Sequence, residues 1–148
     1  EPLKVSVEIE AIVDEALAFA SLDAGIRVER RYAGVRVSCD ADMMRRAFLN
    51  LARNARQAMT AGTLTVESQR EGSWARITFR DTGPGIAPEA LPRLFTPFFT
   101  TRSQGTGLGL AIAHKIVEAH GGMIAAANVE PHGAEFVVRL PAPREGSE

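Results

Sequence analysis

Residues 81–105 set the tightest limit on what this chain can fold into. The stretch shows neither helical nor strand periodicity. Glycine clusters mark both of its ends, Asp81-Thr-Gly-Pro-Gly-Ile86 directly after a strand pattern and Gly105-Thr-Gly-Leu-Gly-Leu110 opening a helical one. One short helical patch, near residues 88–94, interrupts it. Loops this long inside a compact domain are uncommon and are generally functional or disordered. Any fold for this chain has to carry that loop between a strand and a helix.

The remaining sequence supplies the scaffold. Leu3, Val5 and Val7 alternate with polar residues, the period of a half-buried strand. Residues 9–21 read as a helix with Ile12, Ala16, Leu17 and Ala20 on one side. Residues 26–32 and 35–38 read as two strands around Ala33-Gly34. Asp40 and Asp42 start a second helix that runs to about residue 59 and stops before Gly62. Residues 64–69 and 74–80 form a hairpin across Glu71-Gly72-Ser73, residues 106–120 a third helix ended by Gly121-Gly122, and 123–128 and 134–140 two final strands. Repeats, low-complexity segments and linkers are absent from the sequence. Strands and helices mix without strict alternation, which predicts one mixed sheet with helices on one face, an α/β sandwich. Residues 1–141 are expected to form the domain and 142–148 a flexible polar tail.

Composition narrows the function. A chain of 148 residues suits one domain and buries a core without disulfide staples. Its 45% hydrophobic and 24% charged fractions are those of a folded protein. No apolar run reaches the length of a membrane span. Cys39, the single cysteine, has no internal disulfide partner and fits a reducing, cytoplasmic compartment. The net charge of −1 speaks against nucleic-acid or membrane-surface binding as the main activity. The chain opens on Glu1 without a signal-peptide pattern and reads as a piece of a longer protein.

Four features carry chemistry. The Gly105–Leu110 run joins glycine freedom to the unpaired N–H groups and positive dipole end of a helix, an arrangement suited to phosphate. Its spacing is neither the dinucleotide fingerprint nor a P-loop, and the plainer reading is a loop-to-helix joint. Asp81 leaves its strand into the turn shaped by Gly83, Pro84 and Gly85; its carboxylate either caps that turn or recognises a base by hydrogen bonding. On the second helix, Met44, Phe48, Leu51, Ala55 and Met59 form an apolar stripe, with Asn50 and Asn54 stacked four residues apart at its margin. These amides are either solvated or line a cavity in which their oxygens serve a hard cation such as Mg²⁺. In Leu94-Phe-Thr-Pro-Phe-Phe-Thr-Thr-Arg102, three phenylalanines suggest a lid anchored to the body, and Thr100, Thr101 and Arg102 suit a terminal phosphate.

In this order the four features resemble the boxes of the ATP-binding catalytic domain of bacterial sensor histidine kinases. That superfamily is shared with type II DNA topoisomerases, MutL mismatch-repair proteins and a heat-shock chaperone. Leu49-Asn-Leu-Ala-Arg-Asn-Ala-Arg-Gln-Ala58 resembles the N box, and Asp81–Ile86 the first glycine box. Residues 94–102 resemble the phenylalanine box, and Gly105–Leu110 the second glycine box. The wording is nearest to nitrogen-regulation sensor kinases.

The resemblance implies a Bergerat-type α+β two-layer sandwich, a mixed, mainly antiparallel sheet covered on one face by three main helices. It implies ATP and Mg²⁺ as cofactors, with Asn54 as metal ligand and, with Arg102, catalytic. Asn50, Gln57, Asp81, Gly83, Gly85 and Ile86 would line the nucleotide, Asp81 taking the adenine amino group. Thr100, Thr101 and Arg102 would stand near the γ-phosphate, and Gly105, Thr106, Gly107, Leu108 and Gly109 would offer N–H groups to the phosphates.

Two positions depart from the family pattern. Gln57 stands where a Lys or Arg is frequent, and Gly133-Ala134 where Gly-Thr is frequent, which removes a hydroxyl. None of His114, His120 and His132 has the context of a phosphoacceptor, so each reads as a surface or packing residue. The implied reaction is phosphoryl transfer to a histidine on a separate dimerisation domain, with a response regulator as indirect partner and this domain monomeric alone. The alternatives are a serine kinase of the anti-sigma type, a hydrolytic ATPase and a non-catalytic nucleotide-sensing module. Asn50 occupies the position where hydrolytic relatives carry a general-base Glu.

Overall fold

The computed structural model describes residues 1–99 and 108–143. In chain order the elements are β1 (Val5–Glu8), α1 (Ile9–Ala20), β2 (Ile26–Arg31), β3 (Arg36–Cys39), α2 (Ala41–Ala58), β4 (Gly62–Glu71) and β5 (Trp74–Asp81). A short 3-10 turn follows at Leu91–Arg93, then α3 (Gly109–Ala119), β6 (Met123–Asn128) and β7 (Ala134–Pro141).

Apolar spacing dictates the helices. In α2, Met44, Phe48, Leu51 and Ala55 recur at helical steps and are buried, while Arg46 and Arg53 on the opposite side are exposed. Asp40 caps its start, accepting the Met43 N–H at 3.1 Å. In α1, Ile12, Val13, Ala16, Leu17 and Ala20 are buried in the same way.

Five strands form one sheet in the order β2-β4-β5-β7-β6. Only β2 and β4 run parallel; the other neighbours are antiparallel. Alternate residues of the three inner strands point into one core with the helices: Leu64 and Val66, Ile77 and Phe79, Phe136, Val138 and Leu140. The opposite face carries a grid of ion pairs, in which Arg80 bridges Glu67 at 3.3 Å and Glu135 at 3.2 Å. This is the two-layer α+β sandwich that the sequence predicts.

The single sheet of the residue-level reading becomes two. β1 pairs only with β3, in a separate two-stranded sheet. Leu3 and Val5, expected on a half-buried face, are 82% and 54% exposed because no core lies beneath them. β2 and β3 are not partners, and a buried carboxylate accounts for the redirection. Glu10 of α1 accepts the N–H groups of Gly34 at 3.0 Å and Val35 at 2.9 Å, and the hydroxyl of Ser68. These bonds draw the chain away from β2 toward β1. At the other end, Ala142 is buried and its N–H donates to the Ser73 carbonyl at 2.7 Å. The ordered body therefore extends through this residue.

The helices that carry the candidate site are tied together by His120. It is buried after the last turn of α3, where Nδ1 donates to the Ile116 carbonyl at 2.8 Å and Nε2 accepts the Asp40 N–H at 3.0 Å. The Asp40 carboxylate meanwhile accepts the Leu3 and Met43 N–H groups, and these bonds hold its carboxyl below the usual carboxylate range. His120→Ala removes both ring contacts and leaves buried groups unpaired, so it should cost about 2–3 kcal/mol in urea unfolding. An unchanged midpoint would contradict this account of how α2 and α3 are joined.

Cys39 is fully buried at the end of β3, and burial pushes its thiol up to about 11. The folded state thus favours the protonated thiol. Its contribution to stability is complete below the ordinary thiol value and fades as pH rises toward 11. Iodoacetamide at pH 8 should alkylate Cys39 slowly in the native protein and rapidly in urea; equal rates would show that the thiol is accessible and unshifted.

Candidate functional site

Asp81 ends β5 and is only 4% exposed. Its Oδ1 accepts two backbone N–H groups, from Gly83 at 2.9 Å and from Ala134, the first residue of β7, at 3.2 Å. Its Oδ2 has no hydrogen-bond partner among the described residues. The two readings of this carboxylate are therefore compatible. One oxygen caps the turn and ties β5 to β7, and the other remains an acceptor.

The turn is pressed against the end of α2. A Cβ on Gly83 would stand 3.2 Å from Asp81 Oδ1 and 3.3 Å from the Ala58 carbonyl, so any larger residue would need these neighbours to give by a few tenths of an ångström. Gly85 has a φ of 88°, in the left-handed region that glycine enters without strain.

Asn50, Asn54 and Ala58 stand at four-residue steps along one ridge of α2, spanning roughly 12 Å. At one end, Asn50 Oδ1 lies 3.4 Å from where a Gly109 Cβ would be. At the other, Ala58 meets Gly83. Half-buried Asn54 lies between these contacts, so one helix ridge joins the start of α3 to the Asp81 turn. Exposed Gln57 lines a cleft of about 520 Å³ with Ala58, Met59, Thr82, Gly83 and His132.

Helix α3 begins at Gly109, later than the expected residue 106. Leu108 precedes it and offers no side-chain cap to the first turn. Thr100, Thr101, Arg102, Gly105, Thr106 and Gly107 lie outside the described residues.

Of the phenylalanines expected to anchor the irregular stretch, Phe95 does so. Its ring stacks on His114 with centroids 5.3 Å apart and meets the edge of Phe136 at 6.3 Å. Phe98 is 75% exposed with a φ of 68° and anchors nothing in the core, which corrects that part of the expectation. His114 and His120 both pack, as their sequence context suggests.

Three contributors escape the sequence reading. The Ala134 main chain donates to Asp81 where the expected family hydroxyl is missing. Asn128, at the end of β6, exchanges two hydrogen bonds with the backbone of Ile86, each 2.7 Å long. His132 Nδ1 donates to the Thr82 carbonyl at 2.8 Å. The partners are 42 or more positions apart in sequence. Only the antiparallel register of β5 with β7, which sets Arg80 opposite Glu135, brings the β6–β7 turn to the end of β5.

Residues 39–144 match the model of the histidine kinase-, DNA gyrase B- and HSP90-like ATPases. The chain belongs to this ATPase family. The matched range includes both the Asp81 turn and the α2 ridge. Among relatives, the sensor histidine kinase ZraS of Escherichia coli O157:H7 is 38% identical over 142 residues, which cover 92% of this chain and 31% of that protein. The two-component sensor PprA of Pseudomonas aeruginosa is 42% identical over 117 residues, covering 71% of this chain and 13% of PprA. The chain thus spans only a minor part of the curated relatives it matches.

Solved structures agree with the fold. The mycobacterial sensor histidine kinase MprB superposes with a TM-score of 0.86 at 28% identity, covering 96% of this chain and 100% of that one. Full-length ShkA superposes with a TM-score of 0.83 at 29% identity, covering 100% of this chain and 33% of ShkA.

The two roles of the carboxylate oxygens separate in mutants of this ATPase domain. In Asp81→Asn the amide oxygen can take both backbone N–H groups, so the urea midpoint should stay near that of the wild type. Asp81→Ala orphans the Gly83 and Ala134 donors and should lose about 1–3 kcal/mol. Equal losses in both variants would mean that the bonds to Oδ1 do not hold the turn.

Proposed function

We propose that this chain carries the catalytic domain of a two-component sensor kinase. The domain binds Mg·ATP and passes the γ-phosphoryl group to a histidine on a separate dimerisation domain, from which a response regulator draws it. The observation that carries this reading is the free Oδ2 of buried Asp81. An ionised carboxylate only accepts hydrogen bonds, and adenine offers an amino donor where guanine offers a carbonyl. ShkA, which shares the fold, has been crystallised with the ATP analogue AMPPNP, and this supports an adenine nucleotide as the ligand class.

The ridge of α2 suits the other end of the nucleotide. Asn50 and Asn54 are neutral oxygen donors, half-buried on one ridge whose Asn50 end lies beside the start of α3, a donor set that fits a hard cation keeping several waters. Asn54 would hold Mg²⁺, which neutralises phosphate charge when bound. Gln57 would offer its amide to a phosphate without adding charge. Gly83, Gly85 and Ile86 would shape the adenine pocket. The N–H groups of Gly105, Thr106, Gly107, Leu108 and Gly109 would face the phosphates, with Thr100, Thr101 and Arg102 near the γ-phosphate.

Such a site works by positioning and charge neutralisation and needs little covalent chemistry of its own. The amide of Asn50 cannot take a proton from water, which disfavours the hydrolytic branch of the family. Among the described residues, no helix is long and apolar enough to cross a membrane. The lone buried thiol fits the proposed cytoplasmic, reducing setting.

Calorimetric titration of the domain should show ATP binding that weakens when Mg²⁺ is removed and in Asn54→Ala. Radiolabel from γ-labelled ATP should pass to a supplied histidine-bearing dimerisation domain, with negligible phosphate release by this domain alone. Brisk phosphate release would move the assignment to the hydrolases. Binding with no transfer to any cognate histidine domain would favour a nucleotide sensor.

A further inference from the structure

We infer that Asn128 and His132, on the β6–β7 turn, are positioning residues for base recognition: they clamp the backbone of the Asp81–Ile86 segment and so fix where Asp81 Oδ2 stands. The inference rests on the reading of Asp81 as the adenine-binding residue.

The turn holds that segment at both ends. At the far end, Asn128 Oδ1 accepts the Ile86 N–H and Asn128 Nδ2 donates to the Ile86 carbonyl, both at 2.7 Å, a side-chain copy of a strand pairing. At the near end, His132 Nδ1 donates to the carbonyls of Thr82 at 2.8 Å and Gly83 at 3.3 Å. Both acceptors are carbonyls, so the proton resides on Nδ1, in the neutral ring as in the charged one. Ala134, two residues further on, supplies the N–H to Asp81 Oδ1.

Gly85 and Gly133 allow the close approach of the segment and the turn. A Cβ on Gly85 would stand 2.9 Å from Asn128 Oδ1, and one on Gly133 only 2.0 Å from the Asp81 carbonyl. The turn is itself closed by the Val129 N–H donating to the Gly133 carbonyl at 3.0 Å.

These contacts matter because the clamped segment contains Gly83 and Gly85, which have no Cβ to restrict their backbone angles. The direction of Oδ2 follows from the two bonds at Oδ1. One of those donors, Gly83, lies inside the clamped segment; the other, Ala134, lies on the clamp. Releasing either end lets the donors move and the carboxylate turn, so ordering that was complete before binding must then be completed at binding. Asn128 and His132 are both exposed. Their truncation opens no core cavity, and recognition should suffer more than stability.

The test compares Asn128→Ala, His132→Ala and His132→Asn with the wild type in the full chain. ATP, ADP and GTP, each with Mg²⁺, are titrated calorimetrically, and each variant is unfolded in urea without nucleotide. Each alanine variant should bind ATP roughly three- to tenfold more weakly, with GTP affected less. The ATP-to-GTP preference should therefore narrow, while the ATP-to-ADP ratio and the urea midpoint stay close to wild type. His132→Asn places an amide N–H where Nδ1 stood and should recover most of the loss. In the nucleotide-free protein, the Ile86 amide should exchange faster in Asn128→Ala.

An unchanged ATP-to-GTP preference in both folded alanine variants would overturn the inference while leaving ATP binding by Asp81 intact. Parallel losses for all three nucleotides with a lowered urea midpoint would overturn it in favour of a purely structural turn. A wild-type protein that binds no adenine nucleotide would overturn the proposed function itself, a separate result.

Discussion

Two backbone N–H groups converging on Asp81 Oδ1 hold the rest of the site in register. One comes from Gly83, inside the turn that Asp81 begins, and the other from Ala134, which opens the neighbouring strand β7. The carboxylate is therefore a turn cap and an interstrand tie at once. With Asp81 only 4% exposed, loss of either donor would leave a buried charge poorly compensated, so the end of β5, the glycine turn and the start of β7 are coupled. Because this duty falls on one oxygen, the other is left with an orientation fixed by the fold and with hydrogen-bonding capacity to spare.

Helix α2 extends that fixed point across the layer. Its ridge runs from Asn50, beside Gly109, to Ala58, beside Gly83. The start of α2 is in turn fastened to the end of α3 through Asp40 and His120. The site thus sits on two helices and two central strands whose relative placement is fixed by buried polar contacts as well as by the apolar core. The described part of the stretch after β5 is fastened to this frame at Thr82, Gly83 and Ile86 by His132 and Asn128. Phe95 adds an aromatic contact, between His114 and Phe136.

The legible parts of this structure were those with a local period. Met44, Phe48, Leu51 and Ala55 announce the buried side of α2, and the turn at Gly72-Ser73 announces the β4–β5 hairpin. The family was legible through the order of the glycine and asparagine motifs along the chain. Strand partnership was not. Alternation at Leu3, Val5 and Val7 indicates a strand but says nothing of which neighbour it finds, and β1 finds only β3. Glu10 carries no signal in the sequence pattern, yet it is buried and takes backbone donors from Gly34 and Val35. Asn128 and His132 belong to no periodic element, and their partners arrive through the sheet order alone. Phe98 shows the converse failure, since an aromatic in an irregular stretch need not be core.

The central claim is that the unshared oxygen of Asp81 recognises the amino group of adenine. Deleting that group from the ligand tests it with the protein unaltered. Calorimetric competition between ATP and purine riboside triphosphate, which lacks only the amino group, should favour ATP by roughly tenfold or more, as expected when a buried acceptor is left unpaired. Equal affinities would contradict the account and remove Asp81 from base recognition.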